Sequence, residues 1–304
     1  MVSIKEIPSE ELLAPGHRMC AGCGAAMAAR MAMKATRGPT VVVNATCCLE
    51  VATTVYPFTS WRVPWIHVAF ENSAAVASGI EAAYQHFKKK KGSAKPDVIV
   101  FAGDGGTFDI GLQALSGALE RGHDFVYICY DNEAYMNTGI QRSGATPVGA
   151  ATTTSPGGTV IPGKLEWKKD IVAIASAHDI PYAATASVAY WNDYITKVRK
   201  AIEANGPAFI HVLAPCPRGW RSEISQTVRV ARLAVQTRFF PVYEVERSRT
   251  TINMKVPKPI PVEEYLKLQG RFRHLFSEKY KAEIEKIQKG VNERYERLLA
   301  KSGA

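Results

Sequence analysis

The sequence predicts an α/β fold in which a doubly wound, mostly parallel sheet is followed by a C-terminal helical extension. The main observation is a strand, helix and strand unit within residues 98–139, where two apolar runs flank a helical pattern. A second observation is that other short apolar runs alternate with helical patterns along the chain, as in the repeated units of a parallel sheet. Several of these runs end directly on polar or cysteine residues, which is where ligands bind in open parallel sheets.

The order of the elements follows from the apolar runs and from the Gly and Pro residues that separate them. The predicted strands are short and apolar: 40–44, 61–70, 97–101, 125–130, 181–186 and 207–214. The predicted helices are Ala-rich or amphipathic: one that ends near 36, one after the central Gly-rich turn, and 71–91, 170–178, 191–205, 261–277 and 278–299.

One long segment, 137–168, shows neither a helical nor a strand period and is rich in Gly, Thr, Ser and Pro. A loop of this length inside a compact domain is usually functional or mobile. We interpret it as an active-site and subunit-contact loop, with disorder as the alternative.

The character of the sequence changes after residue 219. We predict an α/β domain over residues 1–219 and a C-terminal extension over residues 220–304 that packs on partner subunits. Within the extension, 241–245 is expected to be extended, and the two charged helices are expected to lie outside the sheet.

The composition is ordinary for a globular protein, with 46% hydrophobic and 22% charged residues in a chain of 304. The formal net charge is +10, but the basic residues are scattered and no known nucleic-acid module is visible. We therefore expect a solvated basic surface or an acidic protein partner, and no nucleic acid. No apolar run reaches the length of about 18 residues that suggests a membrane span, and the N-terminus lacks an apolar signal segment. A cytoplasmic protein that binds no membrane is predicted.

Two polar residues follow the two strands of the central unit. Asp104 lies in the turn Gly103-Asp104-Gly105-Gly106, and Asn132 follows the next strand, 28 positions later. Neighbouring parallel strands would place the two side chains together, where a carboxylate, an amide oxygen and a backbone carbonyl suit Mg²⁺. The glycines would let the backbone approach a diphosphate. The alternative is that the turn and the Asn have only structural roles.

Four cysteines have the spacing of a metal centre. Cys20 and Cys23 form a C-x-x-C pair on a Gly-rich loop, whereas Cys48 and Cys216 each follow a predicted strand. If these strands belong to one parallel sheet, all four thiols lie at its ligand-binding edge. Four thiolates can hold a [4Fe-4S] cluster or a tetrahedral zinc ion. One pair and two distant single cysteines favour the cluster, with zinc and unligated or redox-active thiols as alternatives.

The two remaining cysteines are interpreted differently. Cys47 and Cys48 are adjacent, so on an extended chain their side chains point in opposite directions and only one is expected to be a ligand. Cys129 lies within an apolar strand, where free cysteine commonly acts as a small buried hydrophobic residue.

Taken together, four motifs resemble a known family: CAGCG, CCLE, GDGGTFDIG and DNEAYMNTGIQRSGATP. The spacing from GDG to Asn132 resembles the thiamine diphosphate signature. The four motifs closely resemble the β subunit of pyruvate:ferredoxin oxidoreductase and of its 2-oxoacid relatives in their split-subunit form. The resemblance covers about 15–219 and resumes in EEYLKLQGRFRHL. It implies a thiamine diphosphate-binding fold.

The resemblance also implies roles for individual residues. The implied cluster ligands are Cys20, Cys23, Cys48 and Cys216, and the implied Mg²⁺ ligands are Asp104, Asn132 and the carbonyl of Ala134. Predicted cofactor contacts are Gly103, Gly105, Thr46 and Cys47, in addition to those magnesium ligands. Asn137 matches a family asparagine near the reactive end of the cofactor, with a turn-forming Asn as the alternative.

Two positions depart from the family pattern. The family more often has Gly where this chain has Cys47, which favours Cys48 as the ligand and leaves an additional thiol beside the cluster. Ala25 stands where members often carry a polar residue, so no cofactor contact is predicted there.

The resemblance implies oxidative decarboxylation of a 2-oxoacid, most simply pyruvate, with transfer of the acyl group to coenzyme A. Electrons would pass through the [4Fe-4S] cluster to ferredoxin. Among the local acids Glu50, Glu71 and Glu133, none has the context of the glutamate that activates thiamine diphosphate. In the family an α subunit supplies this glutamate with the pyrimidine-binding half of the site, and a ferredoxin-like subunit carries further clusters. The alternatives are another 2-oxoacid, such as 2-oxoisovalerate or oxalate, a cluster-free thiamine enzyme subunit, and a zinc-binding nucleic-acid module.

Overall fold

The structure is a computed structural model that describes residues 2–91, 95–158 and 160–303. In this part of the chain, eight strands form a single sheet in the order β2-β1-β3-β4-β6-β5-β7-β8. The strands are β1 Thr40–Ala45, β2 Trp65–Val68, β3 Asp97–Gly103, β4 Val126–Asp131, β5 Tyr182–Ser187, β6 Ala208–Leu213, β7 Tyr243–Glu246 and β8 Arg249–Ile252. The first six run parallel to one another, β7 runs antiparallel to β5, and β8 runs antiparallel to β7. The predicted α/β class and mostly parallel sheet are confirmed.

The helices lie between and after these strands. They are α1 Gly24–Met33, α2 Cys48–Thr53, α3 Ser73–Lys91, α4 Leu112–Glu120, α5 Ile171–Ser176, α6 Trp191–Glu203, α7 Pro217–Trp220, α8 Thr227–Gln236, α9 Val262–Leu266 and α10 Lys281–Ser302. A π-helical turn, Gly106–Ile110, leads into α4. None of the helices, as far as the described residues extend, is long and apolar enough to cross a membrane.

The central strands are apolar on both faces because helices cover the sheet on both sides. On one face, Phe101 and Ile128 pack in a core that includes Ala28 and Ala32 of α1. On the other face, Val100, Tyr127 and Cys129 pack in a core that includes residues of α3 and α4. Every side chain of β4 is buried, which explains why the sequence of β4 shows no polar alternation.

The residues after 219 continue the sheet and also form a third core. β7 pairs with β5 and β8 pairs with β7, so the extended segment expected at 241–245 belongs to the main sheet. The C-terminal helices pack in the third core with Leu213 and Trp220. The sheet therefore passes the predicted boundary at 219, and the packing of residues 220–304 on partner subunits stays a prediction.

The prediction of a single helix over 261–277 is wrong. α9 ends at Leu266, and a 3₁₀ segment follows over Gly270–Phe276. Just after the interruption the chain passes close to Arg221: a Cβ at Gly270 would lie 2.7 Å from Cβ of Arg221, so this position excludes a side chain. Gln269 is extended, with φ −124° and ψ 114°, so the chain turns away from the helix axis to make this approach.

Candidate active site

Four neighbouring parallel strands carry the predicted site residues at their carboxyl ends. β1 leads to Cys48, β3 to Asp104, β4 to Asn132 and β6 to Cys216. These strands are adjacent in the order β1-β3-β4-β6. Because carboxyl ends of parallel strands meet at one edge, the sheet gathers residues that are distant in sequence.

Three oxygen atoms converge after β3 and β4. The amide oxygen of Asn132 is 3.0 Å from Oδ1 of Asp104 and 3.0 Å from the carbonyl oxygen of Ala134. If the amide were rotated, its nitrogen would donate hydrogen bonds to both oxygens. In the orientation of the structure three acceptors face one another, an arrangement that a bound cation or a proton on Asp104 would stabilise. A carboxylate, an amide oxygen and a carbonyl are the ligands that Mg²⁺ takes in proteins.

Asp104 is completely buried, and its second oxygen has a partner that the sequence did not indicate. The hydroxyl of Ser143 donates to Oδ2 of Asp104 over 2.5 Å. Burial raises the pKa of Asp104 well above its usual value, and the nearby Asp131 raises it further. A divalent cation would offset this unfavourable burial of negative charge. Ser143 lies in the loop after 137, and that loop therefore contributes to the site.

Hydrogen bonds fix the backbone that carries Asn132 and Ala134. Glu133 has a φ of 67°, in the left-handed region, and its N–H donates to Oδ1 of Asp131 over 2.8 Å. The indole N–H of Trp220 donates to the carbonyl of Asn132 over 2.7 Å. The hydroxyl of Thr146 donates to the carbonyl of Glu133, also over 2.7 Å. The unusual backbone conformation is therefore supported from three sides.

Buried ion pairs support the same turn. Lys168 lies 2.6 Å from Oδ2 of Asp131 and 2.5 Å from Oε1 of Glu133. Nε2 of His211 is 2.6 Å from Oδ2 of Asp131, and Arg271 is 2.5 Å from Oε2 of Glu133. Burial opposes the charge of Asp131, but Lys168 and His211 outweigh it and lower its pKa to about 2. The acids beside the oxygen group thus have cationic partners of their own.

The glycines around Asp104 permit close packing. A Cβ at Gly103 would lie 2.6 Å from Sγ of Cys47, and one at Gly105 would lie 2.4 Å from Cε1 of Tyr135. The hydroxyl of Tyr135 donates to the carbonyl of Gly105 over 3.0 Å. The side on which a Cβ would project is therefore filled by protein at both positions. The role of these glycines toward a diphosphate stays a prediction.

The four predicted cluster cysteines lie close together at the same edge. The amide of Gly24 donates to the carbonyl of Pro215 over 3.0 Å, which joins the C-x-x-C loop to the segment that carries Cys216. Cys20 is exposed, whereas Cys23, Cys48 and Cys216 are half-buried, and all are free thiols.

The pKa shifts of the cysteine thiols agree with this proximity. Burial raises the pKa of Cys23 to about 11, and the thiols of Cys216 and Cys20 contribute to this increase. A hydrogen bond to Cys47 and burial raise the pKa of Cys48, and Cys216 and Cys23 add to it. The thiols of Cys23, Cys48 and Cys216 thus retain their protons unless a cationic metal centre is bound.

The thiol group differs from a mononuclear metal site. Among the residues that the structure describes, no three His, Cys, Asp or Glu side chains are placed to hold one ion. A tetrahedral zinc site needs four ligand atoms about one metal at short distance. In a [4Fe-4S] cluster each thiolate binds a different iron, so its sulfurs stay farther apart.

Comparison with known proteins identifies the family of this chain. Residues 44–212 match the model of the thiamine pyrophosphate enzyme C-terminal TPP binding domain. The pyruvate synthase subunit PorB of Methanocaldococcus jannaschii is 56% identical over 96% of this chain and 97% of that protein. The ketoisovalerate oxidoreductase subunit VorB of Pyrococcus furiosus is 51% identical over 96% of this chain and 94% of that protein. The chain belongs to the 2-oxoacid:ferredoxin oxidoreductase family.

A solved structure shows the same fold. The 2-oxoglutarate:ferredoxin oxidoreductase from Magnetococcus marinus aligns with a TM-score of 0.56 and 19% identity, covering 75% of this chain and 79% of that one. The sequence relatives confirm the resemblance identified from the motifs. The chain is part of an enzyme that acts on 2-oxoacids with an iron–sulfur protein as electron acceptor. It contains a thiamine diphosphate-binding domain.

The positions of three other candidate residues of this oxidoreductase subunit are also defined: Thr46, Glu50 and Asn137. Thr46 lies at the end of β1, where its hydroxyl is 2.6 Å from Nε2 of His67 and donates to the carbonyl of Val68. Glu50 is buried, with Oε1 3.6 Å from Nδ1 of His67. Asn137 is exposed in the loop after Tyr135. The cofactor contacts predicted for Thr46 and Asn137 stay predictions.

Sequence reasoning missed the residues that support the turn from a distance. These are Ser143, Thr146, Lys168, His211, Trp220 and Arg271. Ser143 and Thr146 lie in the quoted motif QRSGATP and Arg271 lies in EEYLKLQGRFRHL, whereas Lys168, His211 and Trp220 have no local pattern that separates them from packing residues. Their roles depend on contacts across the fold, such as the 138 positions between Glu133 and Arg271.

Proposed function

We propose that this chain is the β subunit of a pyruvate:ferredoxin oxidoreductase, in which pyruvate is oxidatively decarboxylated with coenzyme A. Electrons would pass to a [4Fe-4S] cluster held by this chain and then to ferredoxin. The observation that supports this most directly is the common edge of β1, β3, β4 and β6, which carries a cation-compatible oxygen group beside four thiols.

The oxygen group would hold Mg²⁺ and, through it, the diphosphate of the cofactor. Its ligands from this chain would be the side chains of Asp104 and Asn132 and the carbonyl of Ala134, which already face one another at 3.0 Å. Mg²⁺ binds few protein ligands and completes its octahedron with water and phosphate oxygens. When bound, thiamine diphosphate supplies the carbanion chemistry that removes CO₂ from a 2-oxoacid. The chain itself positions the cofactor and buries its charged end.

The thiols would hold the cluster. Cys20, Cys23, Cys48 and Cys216 supply the four thiolates, and Cys20 is the exposed one. The cluster would therefore lie between the cofactor site and the protein surface. This placement suits an electron carrier that receives electrons inside the site and releases them outside.

Partner subunits would complete the active site. Glu133 is held by Lys168 and Arg271, and Glu50 faces His67, so we assign neither of these acids to the aminopyrimidine of the cofactor. An α subunit would supply that glutamate together with the pyrimidine-binding half. A ferredoxin-like subunit would carry further clusters. Free thiols and a thiolate-bound cluster need a reducing compartment, so the cytoplasm is the proposed location.

The substrate is the finer part of the proposal. The 56% identical relative is named pyruvate synthase, and the 51% identical relative is named ketoisovalerate oxidoreductase. Pyruvate is therefore the first candidate, and 2-oxoisovalerate is the second. Residues of the partner subunits are expected to contribute to this choice.

The test uses the whole complex, purified without oxygen. It is assayed for reduction of ferredoxin with pyruvate, 2-oxoisovalerate, 2-oxoglutarate and oxalate, with and without coenzyme A, and analysed for iron, sulfide and zinc. We expect coenzyme A-dependent activity with pyruvate, iron and sulfide in cluster proportions and no stoichiometric zinc. Higher kcat/KM for another 2-oxoacid would overturn the substrate assignment. Absence of iron from this chain's four-thiol site would overturn the electron path.

A further inference from the structure

The segment 216–232 packs against the C-x-x-C loop. Its first helix, α7, begins directly after Cys216. At the start of α8 the hydroxyl of Thr227 donates to the carbonyl of Gly22 over 2.7 Å, and a Cβ at Gly22 would lie 2.7 Å from the carbonyl oxygen of Ile224. The segment is therefore fixed to the four-thiol group at two points, and its exposed residues lie next to the loop that carries the exposed Cys20.

The loop and the segment together carry an excess of positive charge. Residues 15–24 and 216–232 contain five arginines and one acid, Glu223, whereas the whole chain has 38 Lys and Arg against 28 Asp and Glu. All five arginines are exposed, and among the described residues none of them forms an ion pair. They are Arg18, Arg218, Arg221, Arg229 and Arg232. We call the exposed residues of these two stretches the basic surface. Positive charge that the chain itself does not neutralise attracts an acidic partner.

Two apolar side chains are exposed within the basic surface. Ile224 is 56% exposed and Val228 is 40% exposed. Val228 and Arg232 are neighbours on one face of α8, because residues four positions apart on a helix lie side by side, and the opposite face of this helix is buried. An apolar centre inside a charged rim is typical of a stable protein interface, whereas transient electron-transfer contacts are smaller. The basic surface therefore fits a permanent subunit better than a soluble carrier.

We propose that the basic surface docks an acidic face of the ferredoxin-like subunit. The proposal rests on the proposed function, because this subunit would receive electrons from the cluster of this chain. Docking here would bring the next cluster close to Cys20, the one proposed ligand that is exposed, and would cover it. The step is a one-electron transfer in which the cluster of this chain is oxidised and the cluster of the subunit is reduced, with no bond formed or broken. Complementary charges would also fix the orientation of the subunit.

The test uses the whole complex, purified without oxygen, and compares the wild type with the double variant Arg229→Glu/Arg232→Glu. Retention of the ferredoxin-like subunit is measured by anaerobic size-exclusion chromatography over a series of NaCl concentrations. We expect at least roughly tenfold weaker association of this subunit in the double variant, because reversed charges repel an acidic face. The difference should shrink as salt screens the charges.

Electron transfer provides a second readout. In the double variant, reduction of ferredoxin with pyruvate should fall with the loss of the subunit. Reduction of methyl viologen, a small acceptor that needs no docking surface, should continue. The iron content of this chain should be unchanged, because neither Arg229 nor Arg232 is a proposed ligand. Val228→Asp places a negative charge in the apolar centre and should also release the subunit.

The double variant Arg247→Glu/Arg249→Glu is the matched control. Both arginines are exposed, and they lie in the hairpin of β7 and β8, outside the basic surface. The control changes the net charge by the same amount as the test variant. It should retain the ferredoxin-like subunit as the wild type does.

Several outcomes would overturn the proposal. One is full retention of the subunit by Arg229→Glu/Arg232→Glu at low salt, and another is a wild-type complex that contains no ferredoxin-like subunit. Retention with a higher KM for ferredoxin would show that soluble ferredoxin docks here instead, and loss of the α subunit would show that the α subunit does. Absence of iron from the four-thiol site would overturn the electron path of the proposed function, whereas subunit retention needs no electron transfer and would still decide the docking.

Discussion

Arg271 reaches from the C-terminal segment to within 2.5 Å of Glu133, the residue between the proposed magnesium ligands Asn132 and Ala134. Its guanidinium lies 3.9 Å from the centre of the Trp220 ring, whose N–H donates to the carbonyl of Asn132. Both residues therefore hold the same turn, one at its side chain and one at its backbone. The C-terminal segment is thus part of the support of the site.

Replacement of Arg271 should destabilise the turn and weaken cofactor binding. Arg271→Met leaves Glu133 buried with Lys168 as its remaining cation, and loss of one partner of a buried pair costs about 3 kcal/mol. We expect a lower Tm of the complex and weaker binding of thiamine diphosphate with Mg²⁺, measured by calorimetry. Arg273→Met is the control, because Arg273 lies two positions away and is exposed. Equal effects of the two substitutions would contradict the assigned role.

Ser143 should affect the metal more than the stability of the chain. Its hydroxyl donates to Oδ2 of Asp104, and residues that orient a metal ligand typically contribute 10- to 100-fold in affinity. Ser143→Ala should therefore weaken Mg²⁺ binding roughly tenfold. The measurement is a Mg²⁺ titration of cofactor binding at fixed thiamine diphosphate. Ser225→Ala, at an exposed position, should leave the titration unchanged, and an unaltered midpoint for Ser143→Ala would refute the prediction.

The sequence predicted the parts of the fold that depend on local patterns. β1, β3, β4 and β6 are apolar runs bounded by Gly, Pro or polar residues, and their ends carry the candidate residues. Hydrophobic periodicity and the Gly and Pro residues that separate the elements are local properties of the sequence, so they can be identified without knowledge of the packing. The parallel order then places the strand ends together.

The long-range contacts that stabilise the site could not be predicted in the same way. Arg271 and Glu133 are distant in sequence, and neither stands in a pattern that indicates an ion pair. The close approach of Gly270 to Arg221, just after the end of α9, is likewise long-range. Burial of both faces also removes the polar alternation that would have indicated which side chains of β4 lie on which face of the sheet.

The four proposed ligand cysteines should be distinguishable from Cys129 by metal content. Substitution of Cys20, Cys23, Cys48 or Cys216 by Ala removes one thiolate, and we expect loss of the iron and sulfide of one cluster from the anaerobically purified complex. Cys129→Ala should retain the cluster and cost about 1 kcal/mol of stability, as expected for a small buried residue. Retention of full iron content in any of the four single variants would remove that residue from the ligand set.

Gly105 should tolerate no side chain while Tyr135 remains in place. A Cβ at Gly105 would lie between 2.4 and 2.7 Å from three atoms of the Tyr135 ring, so the ring must move and its 3.0 Å hydrogen bond to the Gly105 carbonyl is lost. Overpacking of this kind costs typically about 2 kcal/mol, whereas Tyr135→Phe removes only the hydrogen bond and should cost about 1 kcal/mol. If the steric account holds, Gly105→Ala combined with Tyr135→Ala should lower the Tm of the complex by less than the sum of the two single changes. Strict additivity of the two Tm changes would show that the ring is not what excludes a side chain at Gly105.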